Sequence, residues 1–363
     1  MVGPMLTLEQ AATPFDLVRG ATLRFTTRSR LVTRILARRD TRIAALGSLQ
    51  VLVLLAATLR FPVALYFVGP VVLGVVHLAA DVRYLCVRVT PPKALWLASA
   101  VLAGALTVVR VCVGLHVASA TLGAQVDMGV GAVWVGVALA LRVSDAASSF
   151  RTNAVMLAIV AGTALAARWL MTHAALCDVV IVHGHNLLAF VLWFALFRPR
   201  ASLGWAALPM VLVVAASAVL LSGAWVPWTS QHGGLLAFGQ RAARLGAGLA
   251  PGASSRVATA VAMTFVFLQS VHYAVWTNWI PQDCLPGEGT ATFRMTLRSL
   301  KADFGPRALA LIAFVTVGFG LLACWHLRQS VAWYMTLARA HVWFELAVFV
   351  YFVGRPGVMR TAT

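Results

Sequence analysis

From residue 43 onward the chain alternates between long apolar runs and short polar or charged turns. An apolar run of about 20 residues is the length of helix that crosses the hydrocarbon core of a bilayer. The pattern predicts about ten such spans. They lie near 43–59, 61–81, 94–117, 128–142, 154–171, 176–197, 205–222, 257–280, 306–327 and 331–354. The first, fourth, fifth and seventh are short, and their edges are the least defined. The fold class this predicts is all-α, a polytopic transmembrane helical bundle over residues 43–354. A basic arm over 1–42 precedes it and a short tail over 355–363 follows. Basic residues spread through the arm from Arg19 to Arg42 with no signal-peptide core ahead of them. The arm therefore reads as a partly helical segment lying on the membrane surface.

Composition carries the same message. Hydrophobic residues make up 61% and charged residues only 11%, with a mean hydropathy of +0.86. Soluble proteins carry about 25% charged residues. The net charge is +18, from 29 Lys and Arg against 11 Asp and Glu. In a membrane protein such an excess points to topology and to anionic lipid headgroups at the cytoplasmic face. No basic stretch is interleaved with aromatics, so nucleic acid is not an expected partner. An inside N-terminus makes 82–93, 143–153, 198–204 and 281–305 the cytoplasmic loops. These carry Arg83, Arg88 and Lys93; Arg151; Arg198 and Arg200; and Arg294, Arg298 and Lys301. The tail adds Arg355 and Arg360, whereas the opposite loop 118–127 has no Lys or Arg. Both termini are therefore expected in the cytoplasm. Arg60, Arg328 and the long outer loop 223–256, with Arg241, Arg244 and Arg256, run against the rule. That loop has room for a surface helix.

Polar chemistry is concentrated in four segments inside the spans. They are Gly74-Val-Val-His77-Leu-Ala-Ala-Asp81, Val182-His183-Gly-His185-Asn186, Gln269-Ser-Val-His272-Tyr273 and the segment from His341 to Glu345. Ionisable groups at membrane depth are costly and mark functional sites by default. On the predicted topology the four spans concerned run in one direction, so a shared site is geometrically conceivable. His77 and Asp81 are four apart, on one helix face, as are His341 and Glu345. A carboxylate beside a metal-bound imidazole fixes its tautomer and raises its basicity. Asp81 reads as such a partner, and Glu345 as a ligand or proton carrier. Side chains two apart on a helix diverge by about 200°, so His183 and His185 do not both bind one ion from a regular helix. Asn186, Gln269, Tyr273 and Trp276 are candidate substrate contacts, the last three around His272. Against these readings stand helix-to-helix hydrogen bonding and an interfacial aromatic belt.

Other candidates are weaker. His116, His173, His232 and His326 fall at helix ends or in outer loops and read as solvated. Arg110 and Arg168 read as snorkelling. The five cysteines are scattered with no C-x-x-C pair. There is no G-x-x-x-x-G-K-[ST], H-E-x-x-H or G-x-S-x-G. Gly318-Phe-Gly320-Leu-Leu-Ala323 lies inside an apolar span and reads as close helix packing.

The stretch Gly74, His77, Asp81 resembles the G-x-x-H-x-x-x-D motif of the Brp/Blh family, membrane enzymes that cleave β-carotene to retinal. The resemblance implies an all-helical fold with iron held by histidines from separate helices. His77 would match the family's first histidine and Asp81 its nearby aspartate. Around His272 the family has two close histidines where this chain has one, and His183-Gly-His185 does not reproduce the family's other motif.

The leading expectation is a membrane-embedded, histidine-ligated metal oxidoreductase, with iron as the metal and copper or zinc as alternatives. Its expected ligands are His77, His183 or His185, His272 and His341, and its substrate is apolar or lipid-like. Two other readings remain. One is a b-type haem subunit passing electrons to a donor or quinone. The other is a proton-coupled transporter.

Overall fold

A computed structural model describes residues 10, 12–145, 150–197, 203–226, 242–285 and 289–353. His232, Arg198, Arg200, Arg241, Arg355, Arg360 and the tail lie outside the described residues. Among those described, every regular element is helical, as the apolar periodicity requires.

Two short helices form the arm, α1 (Thr13–Thr26) and α2 (Arg30–Ala37), neither with a buried residue. The bundle follows as α3 (Arg39–Arg60), α4 (Pro62–Val87), α5 (Lys93–Gly114), α6 (Ala120–Ser144), α7 (Phe150–Thr172), α8 (Ala174–Phe197) and α9 (Leu203–Leu221). After these come the short α10 (Ala242–Leu249), which packs against the start of the next helix, then α11 (Ser255–Asp283), α12 (Phe293–Leu337) and α13 (Arg339–Phe352).

Nine helices among the described residues are long and apolar enough to cross a membrane. The ninth is a 60-residue run over Phe293–Phe352. At 1.5 Å per residue it would reach about 90 Å as a rod, three times the hydrocarbon thickness. It is not a rod. The backbone leaves helical geometry at Gly305 and at His326, and a turn at Ala338 starts α13. The last two expected spans, 306–327 and 331–354, share this run, with the break at His326 close to their boundary. The chain is a multi-pass membrane protein. Its outward faces agree, since α7 and α12 expose Leu157, Leu165, Phe314 and Trp325, which suit lipid and not water.

α11 is the centre of the bundle. Almost every residue from Ala258 to Trp276 is buried. Helices α3, α4, α8, α9 and α10 pack around it. α13 bridges α4, α5, α6 and α8. Lipid tails are as apolar as leucine, so tight packing and internal hydrogen bonds hold such helices together. Gly131 illustrates the packing. A Cβ there would sit 2.1 Å from the Trp343 ring, so the glycine lets α13 lie close against α6.

Candidate metal centre

Each helix that contributes to the centre departs from regular geometry nearby or begins there. α4 widens into π turns at Pro70–Gly74 and Arg83–Val87, on either side of His77 and Asp81. α11 does so at Val275–Trp279, just after His272, and α8 at Trp193–Phe197, two turns after His185. Such turns re-aim side chains and are frequent at functional sites. His341 lies in the first turn of α13, where its Nδ1 bonds the Ala338 carbonyl.

Four of the five expected rings meet. Ring centroids are 5.3 Å apart for His77 and His272, 5.1 Å for His77 and His341, 5.3 Å for His185 and His272, and 5.5 Å for His185 and His341. One ring nitrogen from each of His77, His272 and His341 lies within 4.8 Å of the others. A carbonyl only accepts, so the His185 and His341 rings donate from Nδ1, His185 to Val182 at 2.9 Å. In the neutral imidazole that leaves Nε2 with its lone pair, ready to bind a cation. His77 Nδ1 lies 3.4 Å from the Tyr334 hydroxyl.

The remaining polar atoms are left over. His77 Nε2, His341 Nε2, both His272 ring nitrogens and all four oxygens of Asp81 and Glu345 are buried without a hydrogen bond. Ligand atoms of Asp81, His341 and Glu345 form a second group within 4.8 Å. His272 Nε2 is 3.8 Å from Glu345 Oε1. Buried polar groups are normally satisfied, and buried charges are paired or coordinate metal. A cation would supply a missing partner for the first group of rings or for the second group of His341 and the carboxylates, which share His341. The donor set of imidazoles and carboxylates therefore fits a first-row metal ion.

The other expected residues divide. His183 points away from the cluster, as the divergence along α8 requires. Its Nε2 bonds the Leu249 carbonyl at 3.1 Å and its ring meets Phe265 edge-on, so of the two only the His185 ring joins the other histidines. The Tyr273 ring lies tilted against His77, with centroids 4.6 Å apart. Gln269 and Tyr273 line a cavity of about 40 Å³ with His77, His185 and His341. Asn186 and Trp276 are fully buried and do not line that cavity. Asn186 Nδ2 donates to Val182, and Trp276 sits beside Glu345. His116, His173 and His326 are exposed and distant from the cluster.

Two features lay beyond the reach of sequence reasoning. Tyr334 is the first. A Cβ at Gly74 would fall 2.4 Å from its ring, so Gly74 is what admits the tyrosine to His77. The second is a buried ion-pair network. Asp127 on α6, with no exposed surface, accepts from Arg110 at 2.5 Å, from Arg339 at 2.6 Å and from Trp343 Nε1 at 3.2 Å. Arg339 also bonds Asp178. The expected snorkelling of Arg110 is thus replaced by an ion pair. Arg110, Asp178, His183 and Arg339 line a cavity of about 320 Å³, and Val182, Met335 and Arg339 separate it from the small cavity at the histidines.

No family model, curated protein or solved structure matches this chain.

Proposed function

We propose that this protein is an intramembrane metal-dependent oxidoreductase, with iron held by His77, His185, His272 and His341 and with Asp81 and Glu345 beside it. The observation that carries the reading is the convergence of His77, His185, His272 and His341 beside Asp81 and Glu345, with His77 Nε2, His341 Nε2 and both His272 ring nitrogens buried without a hydrogen bond. Four neutral rings and two ionised carboxylates balance one divalent cation, and a site without net charge is the cheapest kind in a low-dielectric interior. Iron suits a mixed imidazole and carboxylate set better than copper(I), which prefers sulfur. Rings packed 5.1–6.2 Å apart, three of them lining a 40 Å³ space, favour a bare ion over a porphyrin plate. Bound iron would supply activation of oxygen.

The chain's own residues set the remaining conditions. Val182 and Ala338 carbonyls orient two rings, and Tyr334 orients a third. Glu345, 3.8 Å from His272, would be the carboxylate that accepts a proton near the reacting atoms. Tyr273 and Gln269 face the small cavity, and the 320 Å³ space beside it, with Arg110, Asp178 and Arg339 in its wall beside Val113, Val179 and Leu249, suits the polar end of a lipid-like substrate. The resemblance at Gly74, His77 and Asp81 makes a polyene the first substrate class to try. The positive loops favour cytoplasmic termini, which would put a soluble electron donor on that side.

The test is elemental analysis and a visible spectrum of detergent-purified protein, wild type beside His77→Ala, His272→Ala and His183→Ala. About one iron per chain is expected, lost in the first two variants and kept in His183→Ala. Protein that stays free of metal after mild purification and anaerobic iron reconstitution refutes the reading. A Soret band would instead establish haem.

A further inference from the structure

A second cavity, of about 750 Å³, opens where the arm meets the bundle. Its wall includes Arg19 of α1, Arg42 of α3, and Arg83 and Arg88 at the end of α4, with no acidic residue among the described lining residues. We propose that it binds the phosphate of an anionic membrane lipid, with the acyl chains leaving over its apolar rim.

Three observations carry this. First, the arginines are fixed in place. Arg83 Nε and Arg88 Nη2 both bond one oxygen of Asp303, at 2.6 and 2.9 Å, and both reach Ser299 Oγ. One carboxylate thus serves two guanidinium groups and leaves positive charge facing the cavity. Arg19 is carried in from the arm and bonds Thr290. Planar guanidinium forks suit phosphate oxygens well.

Second, the rim is apolar and faces outward. Leu46 is 37% exposed, Phe293 50% and Met295 51%. A soluble phosphate has no use for such a rim, whereas a lipid has chains to lay on it. The volume lies within the usual range for small-molecule sites.

Third, the cavity lies at the ends of two candidate spans. It lies where α3 begins and α4 ends, beside an arm that exposes Phe15, Phe25 and Leu31 together with Arg28, Arg30 and Arg34. A basic helix with exposed apolar side chains rests at the membrane interface, where lipid phosphates are.

The test is native mass spectrometry of delipidated protein titrated with phosphatidylglycerol and with phosphatidylcholine. Wild type should prefer phosphatidylglycerol at least tenfold. Each arginine near a membrane surface contributes about fivefold in binding. Arg19→Gln and Arg88→Gln should each reduce the preference about fivefold, while Arg60→Gln, which removes the same charge elsewhere, should not. If Arg88→Gln does not fold, Arg19→Gln on the arm still decides. Equal affinity for the two lipids, or an unchanged preference in Arg19→Gln, overturns the proposal. Competition by glycerol 1-phosphate at matching concentration overturns the lipid assignment. None of these outcomes depends on metal at the histidines.

Discussion

Asp127→Ala is the most severe single substitution the structure foresees outside the histidine cluster. Asp127 is fully buried and is the shared acceptor of Arg110, Arg339 and Trp343. Each guanidinium contact is worth about 4 kcal/mol before desolvation at an effective dielectric of 20. Removing the carboxylate leaves two arginines, whose side chains are only 17% and 11% exposed, to share Asp178. Breaking one partner of a buried pair costs about 3–5 kcal/mol net, and two cations are stranded here, so the upper half of that range is expected. Asp127→Asn keeps one acceptor for Trp343 and loses the charge, so it should cost less. Replacing a buried pair by apolar groups is often neutral. Adding Arg110→Met to Asp127→Ala should therefore recover part of the loss, because Arg339 retains Asp178. The assay is reversible unfolding in mixed micelles, followed by tryptophan fluorescence. A loss below about 1 kcal/mol for Asp127→Ala, or a double variant less stable than the single, would refute the reasoning.

Three further outcomes are expected. Gly74→Ala places a methyl 2.4 Å from the Tyr334 ring and should cost about 1–3 kcal/mol through overpacking, read in the same unfolding assay; a neutral result would mean the ring moves freely. Tyr334→Phe keeps the ring and removes the hydroxyl 3.4 Å from His77 Nδ1, so iron affinity should fall about tenfold in a metal titration, with an unchanged affinity counting against the proposed centre. Docking of α1 should depend on acid. Desolvation draws the Asp16 carboxyl upward, but hydrogen bonds from the Phe293 and Arg294 amides and the Arg294 side chain outweigh it and hold it below the ordinary value of 3.8. Its contribution is present above that value and is lost as pH falls through the lowered one. Hydrogen exchange of α1 should rise only in that acid window, and Asp16→Asn should abolish the dependence.

How far the sequence could be read depends on which physics each feature obeys. Spans were legible because transfer of apolar side chains to lipid is local and additive along the chain. The fourth span shows the limit. The apolar run predicts 128–142, whereas the helix runs over Ala120–Ser144 with Asp127 inside it. A carboxylate is a boundary only while it is solvated, and here two arginines from α5 and α13 make it an interior residue. Arg110 was misread for the same reason. The length of the last helical run was also beyond a hydropathy reading, since its breaks at Gly305 and His326 are backbone geometry.

The sequence alone determined that this is an all-helical membrane protein and that four histidine-bearing segments lie within its spans. It also determined that His183 and His185 must face apart, because helical periodicity allows nothing else. Only the tertiary structure decided which of the two joins the cluster. It also decided that His77, His272 and His341 approach within ligand distance of one another, and that Tyr334 enters past Gly74. Those outcomes depend on how α4, α8, α11 and α13 rotate and pack. Packing inside a bilayer is set by side-chain fit between helices, and no single segment carries that information.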